Sequence, residues 1–334
     1  MDLNNLEKIL ETEPKYRLKQ AKEAVFKNLI ADWNKASFFA LPLREKLNQE
    51  CPLLINAESL ISKKKDSIKA RITLKDGLLI ESVLMRHKDG RNTVCVSSQV
   101  GCPLGCKFCA TGKMGFKRNL EPMEIVEQAI FFSRYLKKSG KKITNITFMG
   151  MGEPFLNYDN VMKAVRILNC KEGLNIGARN ISISTAGIIE GIEKLSKEGI
   201  QVNLAISLHA PSSELRSKLM PINKKYHLER VLATVNEYIK KTKRQVMFEY
   251  LLIKDINDTD ACAKDLARIM KKPLYYVNLI LYNPTSGNDF KPSATERVKK
   301  FKEILKKNKI IFSQRFRFGE DIKAACGQFA GENI

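Results

Sequence analysis

The spacing of hydrophobic and polar positions in this 334-residue chain changes at about residue 92. Apolar side chains recur at helical spacing over residues 3–10 and 14–30, and a shorter helix is expected around LPLREKL. Two strand-like runs follow, SIKARITL and LLIESVLMR, and the Asp76-Gly77 pair between them predicts a hairpin turn. The first part of the chain is therefore expected to be helical, and a β-hairpin should follow it.

Beyond residue 92, short β-branched or apolar runs alternate with amphipathic stretches of ten or more residues, such as PMEIVEQAIFFSRYLKK. Strands are predicted at 93–98, 143–150, 180–185, 202–207, 246–251 and 275–280. Six strand–helix units in series predict a parallel sheet, open or curled into a barrel. Chemistry is expected at the carboxyl ends of the strands, where FMGMGEP, SISTAG, ISLHA and LILYNP stand.

These patterns divide the chain into three predicted parts. Residues 1–55 form a small helical domain, residues 56–90 form a β-hairpin extension, and residues 91–334 form the core that carries the chemistry. The chain contains no apolar run long enough to span a membrane, and its acidic, polar start lacks the features of a secretion signal. We therefore expect a cytoplasmic protein.

The formal net charge of +22 favours a polyanionic partner, most simply a nucleic acid. The alternative is compositional drift in a chain rich in Lys, Ile and Asn. The excess is uneven, because residues 86–142 hold 12 basic and 4 acidic residues, whereas residues 1–70 hold 13 and 10. Positive charge thus concentrates around the segment with the clearest chemical motif.

That motif is GCPLGCKFCATG, in which Cys102, Cys106 and Cys109 follow the first predicted core strand with C-x3-C-x2-C spacing. Zinc is the main alternative ligand, but structural zinc sites normally take four ligands from two separated pairs. Iron–sulfur clusters are also usually held by four cysteines. Three thiolates on a four-iron cluster leave one iron free to bind a substrate.

The cysteine spacing resembles that of the radical S-adenosylmethionine (SAM) enzymes. VCVSSQVGC, FCATG, FMGMGEP, SISTAG, SLHAP, MPIN, YNP and AACGQ appear in the order typical of the RlmN/Cfr group of radical SAM RNA methyltransferases, over residues 13–331. The resemblance implies an α/β fold with a partial six-unit (β/α) TIM-like barrel and a small N-terminal helical RNA-binding domain. It also implies two cofactors, SAM and a [4Fe-4S] cluster held by the three motif cysteines.

By position, the resemblance implies a set of SAM contacts at the strand ends. These are Gly152, Glu153, Ser184, Ser207, Leu208, His209 and Asn283. Carboxylate, hydroxyl and amide groups can bind the ammonium, carboxylate and ribose of SAM. Taken alone, Glu153 could simply cap a loop and His209 could be an ordinary loop histidine. The shared strand-end position and the family resemblance favour the binding role.

The resemblance also implies three catalytic residues. Cys326, in KAACGQFAG, would take a methyl group from one SAM and add it to adenine after a second SAM yields a radical. Cys95 would then attack the sulfur of Cys326 and release the base, leaving a disulfide. Glu81 would remove the proton from the modified carbon. The small residues around Cys326 fit a mobile loop. The remaining cysteines, Cys51, Cys170 and Cys262, match no motif and are assigned no role.

The family has two branches, which methylate C2 or C8 of an adenine in 23S rRNA; some members of the C2 branch also modify tRNA beside the anticodon. Glu153-Pro154 and Val100 favour C2, whereas Phe318 before Gly319 leans toward C8, the branch that confers antibiotic resistance. We expect a monomer that methylates C2 and draws electrons from a flavodoxin-like donor. Basic segments GKMGFKR and INKKYH, with Arg317 and Lys323, could line the RNA approach. A metal-containing, non-catalytic RNA-binding protein is the alternative from another class.

Overall fold

The computed structural model describes residues 3–285 and 288–329. The helices expected at the start of the chain are present, and they end where the strands begin. They are α1 (Leu3–Ile9), α2 (Tyr16–Phe26) and α3 (Leu41–Glu50). Trp33, fully buried between α2 and α3, donates its indole N–H to the carbonyl of Cys51 at 2.8 Å. An aromatic side chain with a satisfied donor therefore forms the centre of this small unit.

The strands form one ten-stranded sheet and a separate two-stranded hairpin. They are β1 (Ala57–Ile61), β2 (Ser67–Thr73), β3 (Leu79–Arg86), β4 (Asn92–Cys95), β5 (Gln99–Gly101), β6 (Phe116–Asn119), β7 (Asn145–Phe148), β8 (Ile181–Thr185), β9 (Asn203–Ser207), β10 (Val246–Leu252), β11 (Tyr275–Leu281) and β12 (Phe312–Gln314). The large sheet has the linear order β1-β2-β3-β4-β7-β8-β9-β10-β11-β12. Strands β1 and β12 therefore stand at its two ends.

The six predicted core strands are confirmed as β4 and β7 to β11, which pair in parallel. The sheet is longer than the sequence indicated. Strand β12 adds a seventh parallel member, and β1 precedes the predicted hairpin of β2 and β3. Both additions are short and neither contains a fully buried residue, so they lack the apolar alternation that marks a strand. The turn of the hairpin uses Gly77 at φ +80°, as the Asp-Gly pair predicts.

Strand β3 pairs antiparallel with β4, so the hairpin extension continues the sheet of the core. The helices of the core alternate with its strands, which confirms the α/β class. They are α4 (Ala110–Lys113), α5 (Pro122–Lys137), α6 (Tyr158–Asn169), α7 (Ile189–Leu195), α8 (Ser213–Leu219), α9 (Leu228–Thr242), α10 (Asp260–Met270) and α11 (Thr295–Lys307). Across the described ranges, we find no helix with the length and apolarity that a membrane crossing requires.

The larger of two hydrophobic clusters found among the described residues runs from the first helices into the sheet, and it includes Trp33, Phe132 and Phe248. Arg134 of α5 fastens the N-terminal segment to the core, because its guanidinium donates to the carbonyls of Leu53 and Ile30. The boundaries predicted at residues 55 and 90 fall near changes of secondary structure. They remain predictions, and residues 1, 2, 286, 287 and 330–334 lie outside the described part of the chain.

Candidate active site

Two adjoining cavities lie at the carboxyl ends of the parallel strands, as the sheet topology predicts. The larger cavity extends from the cysteine loop to the tail residues Cys326 and Gly327. Nine of the predicted site residues line it: Cys102, Cys106, Cys109, Gly152, Glu153, Ser184, Ser207, His209 and Cys326. Residues that are more than two hundred positions apart in sequence thus face one space.

The hairpin of β5 and β6 carries the cysteine loop. Gly101 ends β5 at φ +75°, and a Cβ there would lie 1.9 Å from the carbonyl oxygen of Gly115, so only glycine fits. That carbonyl accepts the backbone N–H of Cys102 at 2.9 Å, which closes the loop at its base. Cys109 is the N-cap residue of α4, so the loop is bounded by a strand pair and a helix start. The loop is therefore held at both of its ends.

The three thiols fit an iron–sulfur cluster by their chemistry and by their shared wall. Burial raises the pKa of Cys102 to about 12, and it raises the pKa values of Cys106 and Cys109 as well. Thiolate ligands in so apolar a place need the positive charge of bound metal to form. Across the described residues, no three His, Cys, Asp or Glu side chains are grouped so as to hold a single metal ion.

Glu153 is 4% exposed and follows β7 in the FMGMGEP segment. Its two carboxylate oxygens accept the backbone N–H groups of Phe155 at 3.1 Å and Ala186 at 2.7 Å. Burial raises the pKa of this carboxyl, whereas those hydrogen bonds act to lower it. Gly152 precedes it at φ +97°, and a Cβ there would lie 2.5 Å from Gln99. The glycine therefore lets this segment pack closely against Gln99.

Ser184 and Ser207 lie at the ends of β8 and β9, and their hydroxyl oxygens are 3.4 Å apart. His209 follows at φ +55°, and its Nδ1 accepts the backbone N–H of Leu251 at 3.1 Å. Burial lowers the pKa of His209 to about 3, so the imidazole is neutral and carries its proton on Nε2. These three side chains give the cavity hydroxyl groups and one imidazole donor.

Two predicted SAM contacts are placed differently. The side chain of Leu208 is fully buried in the core and does not line the larger cavity. The backbone carbonyl of Leu208 accepts a hydrogen bond from Arg216 at 3.3 Å. Asn283 lines the second cavity, and its Nδ2 is 3.4 Å from the carbonyl of Cys326. Its buried Oδ1 has no hydrogen-bond partner among the described residues, so this acceptor is available to a ligand.

The second cavity contains both catalytic thiols predicted from the resemblance. Cys95, at the end of β4, lines the second cavity but not the larger one, whereas Cys326 lines both cavities. Burial raises the pKa of Cys95 to about 12, and a charge on Cys326 would raise it further. Cys326 therefore stands on the wall between the cysteine loop and Cys95.

The tail around Cys326 is held by hydrogen bonds on both sides. The carbonyl of Gly327 accepts from Ala110 at 2.8 Å, and the carbonyl of Phe329 accepts from the Thr111 hydroxyl at 2.6 Å. Both donors belong to α4, which follows the cysteine loop. The movement expected of this loop remains a prediction, and it would require these bonds to open.

Glu81 lines neither cavity. Glu81 and Val83 are two positions apart on β3, so their side chains lie on the same face of the sheet. Val83 lines the second cavity. The carboxylate of Glu81 is 1% exposed and pairs with the ammonium group of Lys69 at 2.7 Å. The same ammonium group is 3.3 Å from the carbonyl of Lys323, which links the acid to the tail. Its proposed role as a base therefore requires a rearrangement of this pair or a relay.

Sequence reasoning missed two charged residues of the larger cavity, Arg315 and Glu249. Arg315 lines both cavities and donates to the sulfur of Met149 at 3.0 Å. Its pKa is raised, chiefly by Cys326 and further by Glu249 and Cys95, so these groups surround one guanidinium. Glu249 was visible as a carboxylate inside the apolar run VMFEYL, and one of its oxygens lacks a partner in the described part of the chain. Arg315 follows the undetected strand β12 and gave no comparable signal.

Arg216 of α8 was also missed, because an arginine in SELRSKL looks like a solvated helix residue. It is fully buried, and its guanidinium donates to the carbonyls of Ala186 at 2.6 Å and Ser207 at 3.1 Å. It also donates to the side-chain oxygen of Asn223 at 2.8 Å. One side chain thus holds the ends of β8 and β9 together beside the cavity.

Comparison with known proteins places this site in a family. Residues 96–267 match the model of the Radical SAM superfamily. A protein of Dictyoglomus thermophilum named "Probable dual-specificity RNA methyltransferase RlmN" is 45% identical over 98% of this chain and 94% of its own length. The "Ribosomal RNA large subunit methyltransferase N" of Nitrosopumilus maritimus is 41% identical over 94% and 92%. The chain belongs to the RlmN family of radical SAM RNA methyltransferases.

A solved structure agrees with this assignment. The radical SAM methyltransferase of Sphaerobacter thermophilus superposes with a TM-score of 0.95 at 42% identity, over 99% of this chain and 98% of that one. Membership of the RlmN family confirms an enzyme that methylates RNA, rather than a non-catalytic binding protein. The radical SAM fold implies a [4Fe-4S] cluster and SAM, and Cys102, Cys106 and Cys109 are the residues that fit the cluster.

Proposed function

We propose that this RlmN-family enzyme methylates C2 of an adenine in 23S rRNA, and also the adenosine beside the anticodon in tRNA, with Cys326 as the methyl carrier. The observation that carries the proposal is the position of Cys326 on the wall shared by both cavities. From there one sulfur can face the cysteine loop on one side and Cys95 on the other. The names of the relatives support RNA as the substrate.

We propose that the two cavities have different ligands. The larger is lined by the three loop thiols and by Glu153, Ser184 and His209, so it fits the cluster and SAM. When bound, these cofactors supply a methyl group and a radical that removes hydrogen. The second is lined mainly by apolar and aromatic side chains around Cys95 and the amide of Asn283, so it fits a flipped base.

In this scheme, each side chain has one task. The Arg315 guanidinium, which lines both cavities together with Cys326, would help to position the groups that react there. Glu81 accepts the proton from the modified carbon. Cys95 then attacks the Cys326 sulfur, so that an S–S bond forms while the S–C bond breaks; the electron pair of that bond leaves with the carbon on the base, which takes up a proton and becomes the methyl group. A reductant must restore both thiols before the next turnover.

The decisive experiment combines regiochemistry with two cysteine variants. Protein reconstituted without oxygen is incubated with SAM, dithionite and RNA, and the digested RNA is analysed by mass spectrometry against 2-methyladenosine and 8-methyladenosine standards. We expect 2-methyladenosine. A methyl group at C8 would overturn the proposed regiochemistry. Among the sequence features, only Phe318 before Gly319 favours C8.

The variants test the carrier. Cys326→Ala should abolish methylation, and Cys95→Ala should accumulate a protein–RNA adduct that survives denaturation and migrates slowly in a gel. The matched control is Cys170→Ala, because Cys170 is exposed and lines neither cavity. Full turnover in Cys326→Ala would exclude the protein-bound methyl carrier and leave a different radical SAM reaction.

The electron donor, the oligomeric state and the cellular location are also part of the proposal. We propose an external one-electron donor of the flavodoxin type, since no reductant is built into the mechanism. We further propose a monomer acting in the cytoplasm, where ribosomal and transfer RNA are made. Chromatography of the reconstituted enzyme with and without RNA would test the monomeric state.

A further inference from the structure

An exposed aromatic side chain stands at the mouth of the second cavity. Phe316 lines this cavity and is 63% exposed, in contrast to Phe318, which is 9% exposed. A large apolar surface left in water beside a cavity that contains two reactive thiols is more informative than an isolated surface phenylalanine. Phe316 is therefore placed to contact a ligand that enters this cavity.

Phe316 is the outer member of a row of three rings. Its ring meets that of Phe318 at a centroid distance of 5.3 Å and an angle of 61°. Phe318 in turn meets His87 at 4.9 Å and 69°. These edge-to-face contacts fix the rings without covering the outer face of Phe316. The row therefore offers one rigid, exposed π-surface.

The inner end of the row opens onto a basic groove. His87 lines this groove, which is also lined by six cationic residues: Lys64, Lys65, Arg86, Lys88, Lys141 and Lys142. Of the described residues, none forms an ion pair with any of these six. The single carboxylate in the groove, that of Asp66, accepts from the hydroxyls of Ser62 and Ser67 at 3.0 Å each. The groove thus presents uncompensated positive charge.

Aromatic rings beside a cationic track are the combination that binds unstacked nucleic acid, because bases stack on the rings and phosphates lie along the charge. We propose that Phe316 stacks on a nucleobase of an unstacked stretch of the RNA substrate, while the groove that begins at His87 holds phosphates of the same stretch. This inference rests on the proposed function for its ligand, an RNA with one base drawn out of its stack.

The arrangement also explains how the drawn-out adenine could be held at the cavity mouth. A base that leaves the stack exposes the faces of its neighbours, and an aromatic side chain can cover one of them. Phe316 and Cys95 line the same cavity, so a neighbour stacked on Phe316 places the next base beside the two thiols. Phe316 is thus a positioning residue, not a catalytic one.

The first test measures affinity for a fluorescein-labelled single-stranded RNA octamer by anisotropy. Phe316→Ala should weaken binding by about 5- to 150-fold, the usual effect of losing one base–aromatic stack. Phe316→Trp should bind like the wild type. Its new indole should lose emission when RNA binds, whereas the chain's one natural tryptophan, Trp33, is buried. The matched control is Ile311→Ala, on the same segment and 62% exposed, which should bind normally.

The second test addresses the groove. The triple variant Lys64→Gln, Lys88→Gln and Lys142→Gln should flatten the slope of log affinity against log salt by about 2, since each single-strand phosphate contact contributes about 0.7. A control triple with the same charge change, Lys299→Gln, Lys306→Gln and Lys307→Gln, lies exposed on α11 and should leave the slope near that of the wild type.

Clear results would overturn the inference. A loss in Phe316→Ala smaller than about fivefold refutes stacking, and equal slopes for the two triples refute the groove. Methylation assays on the same preparations separate this inference from the proposed function. If the wild type binds through Phe316 yet leaves no methyl group on RNA, the proposed function fails and the stacking site stands. If the wild type methylates RNA and Phe316→Ala binds and reacts equally well, only the stacking site fails.

Discussion

The buried pair of Lys69 and Glu81 allows a quantitative test of the structure. Their charged atoms are 2.7 Å apart, and their side chains are 7% and 1% exposed. At an effective dielectric constant of about 20, two unit charges at that distance attract by about 6 kcal/mol. The cost of removing both charges from water offsets much of this gain. The net contribution of the intact pair is therefore small, whereas breaking the pair is costly.

Lys69→Met should lower the free energy of unfolding by about 3–5 kcal/mol, because a buried carboxylate loses its cation. The double variant Lys69→Met with Glu81→Gln removes the buried negative charge too, and it should recover at least about 2 kcal/mol of that loss. The measurement is equilibrium unfolding in urea, followed by circular dichroism, for both single variants, the double variant and the wild type. The midpoint should shift while the slope stays constant.

The matched control is Lys218→Met. Lys218 also pairs with a glutamate, at 2.6 Å, but the two side chains are 66% and 80% exposed, so the loss should stay below about 1 kcal/mol. If Lys69→Met costs no more than this control, the pair does not hold a buried charge and the reasoning is refuted. If the double variant is as unstable as Lys69→Met, the destabilisation comes from lost packing and not from charge.

Three further predictions follow from single positions. Because the pKa of Cys95 is raised to about 12, its thiolate is scarce at neutral pH. Release of the RNA adduct should therefore accelerate about tenfold per pH unit from pH 7 to 9. Rapid mixing followed by denaturing gels measures this rate, and a rate that does not change with pH would contradict the prediction. Gly191→Ala places a Cβ 2.5 Å from the ring of Phe155 and should cost about 1–3 kcal/mol in urea unfolding, whereas the control Gly177→Ala meets nothing closer than 3.6 Å and should not destabilise. Arg216→Lys keeps the charge but loses the forked donors, so it should cost about 2–4 kcal/mol and weaken SAM binding in calorimetry, while Arg268→Lys, 77% exposed, should change neither.

The sequence revealed the cysteine loop and the strand ends because those features are local. C-x3-C-x2-C needs only eight residues, and each core strand has its own apolar run before its polar end. The rule that parallel strands gather their carboxyl ends on one side then brought Glu153, Ser184 and His209 together without coordinates. The larger cavity confirms that these three share a wall with the thiols.

What the sequence could not supply were partners fixed by packing between distant elements. Arg216 resembles any surface arginine until the ends of β8 and β9 are seen around it. Arg315 follows a strand of three residues, too short for a period to appear. Lys69 and Glu81 are an intermediate case. The hairpin register places Lys69 opposite Val83, so its contact with Glu81 is diagonal and could be expected only once the turn was known.

The open sheet accounts for the position of the carrier cysteine. A closed barrel would join its two end strands by a hydrogen-bonded ladder, leaving no gap for another segment to cross. Here the chain leaves β12 at one end of the sheet and returns to the hairpin extension at the other. On the way, the carboxylate of Asp321 accepts from the backbone N–H of Lys63 at 2.8 Å, and Lys69 reaches the carbonyl of Lys323. The tail thus bridges the opening that the strand order leaves, which brings Cys326 between Cys95 of β4 and the cysteine loop. Cys95 and Cys326 are separated by most of the chain in sequence, and the path of the tail across the open sheet brings both to the second cavity.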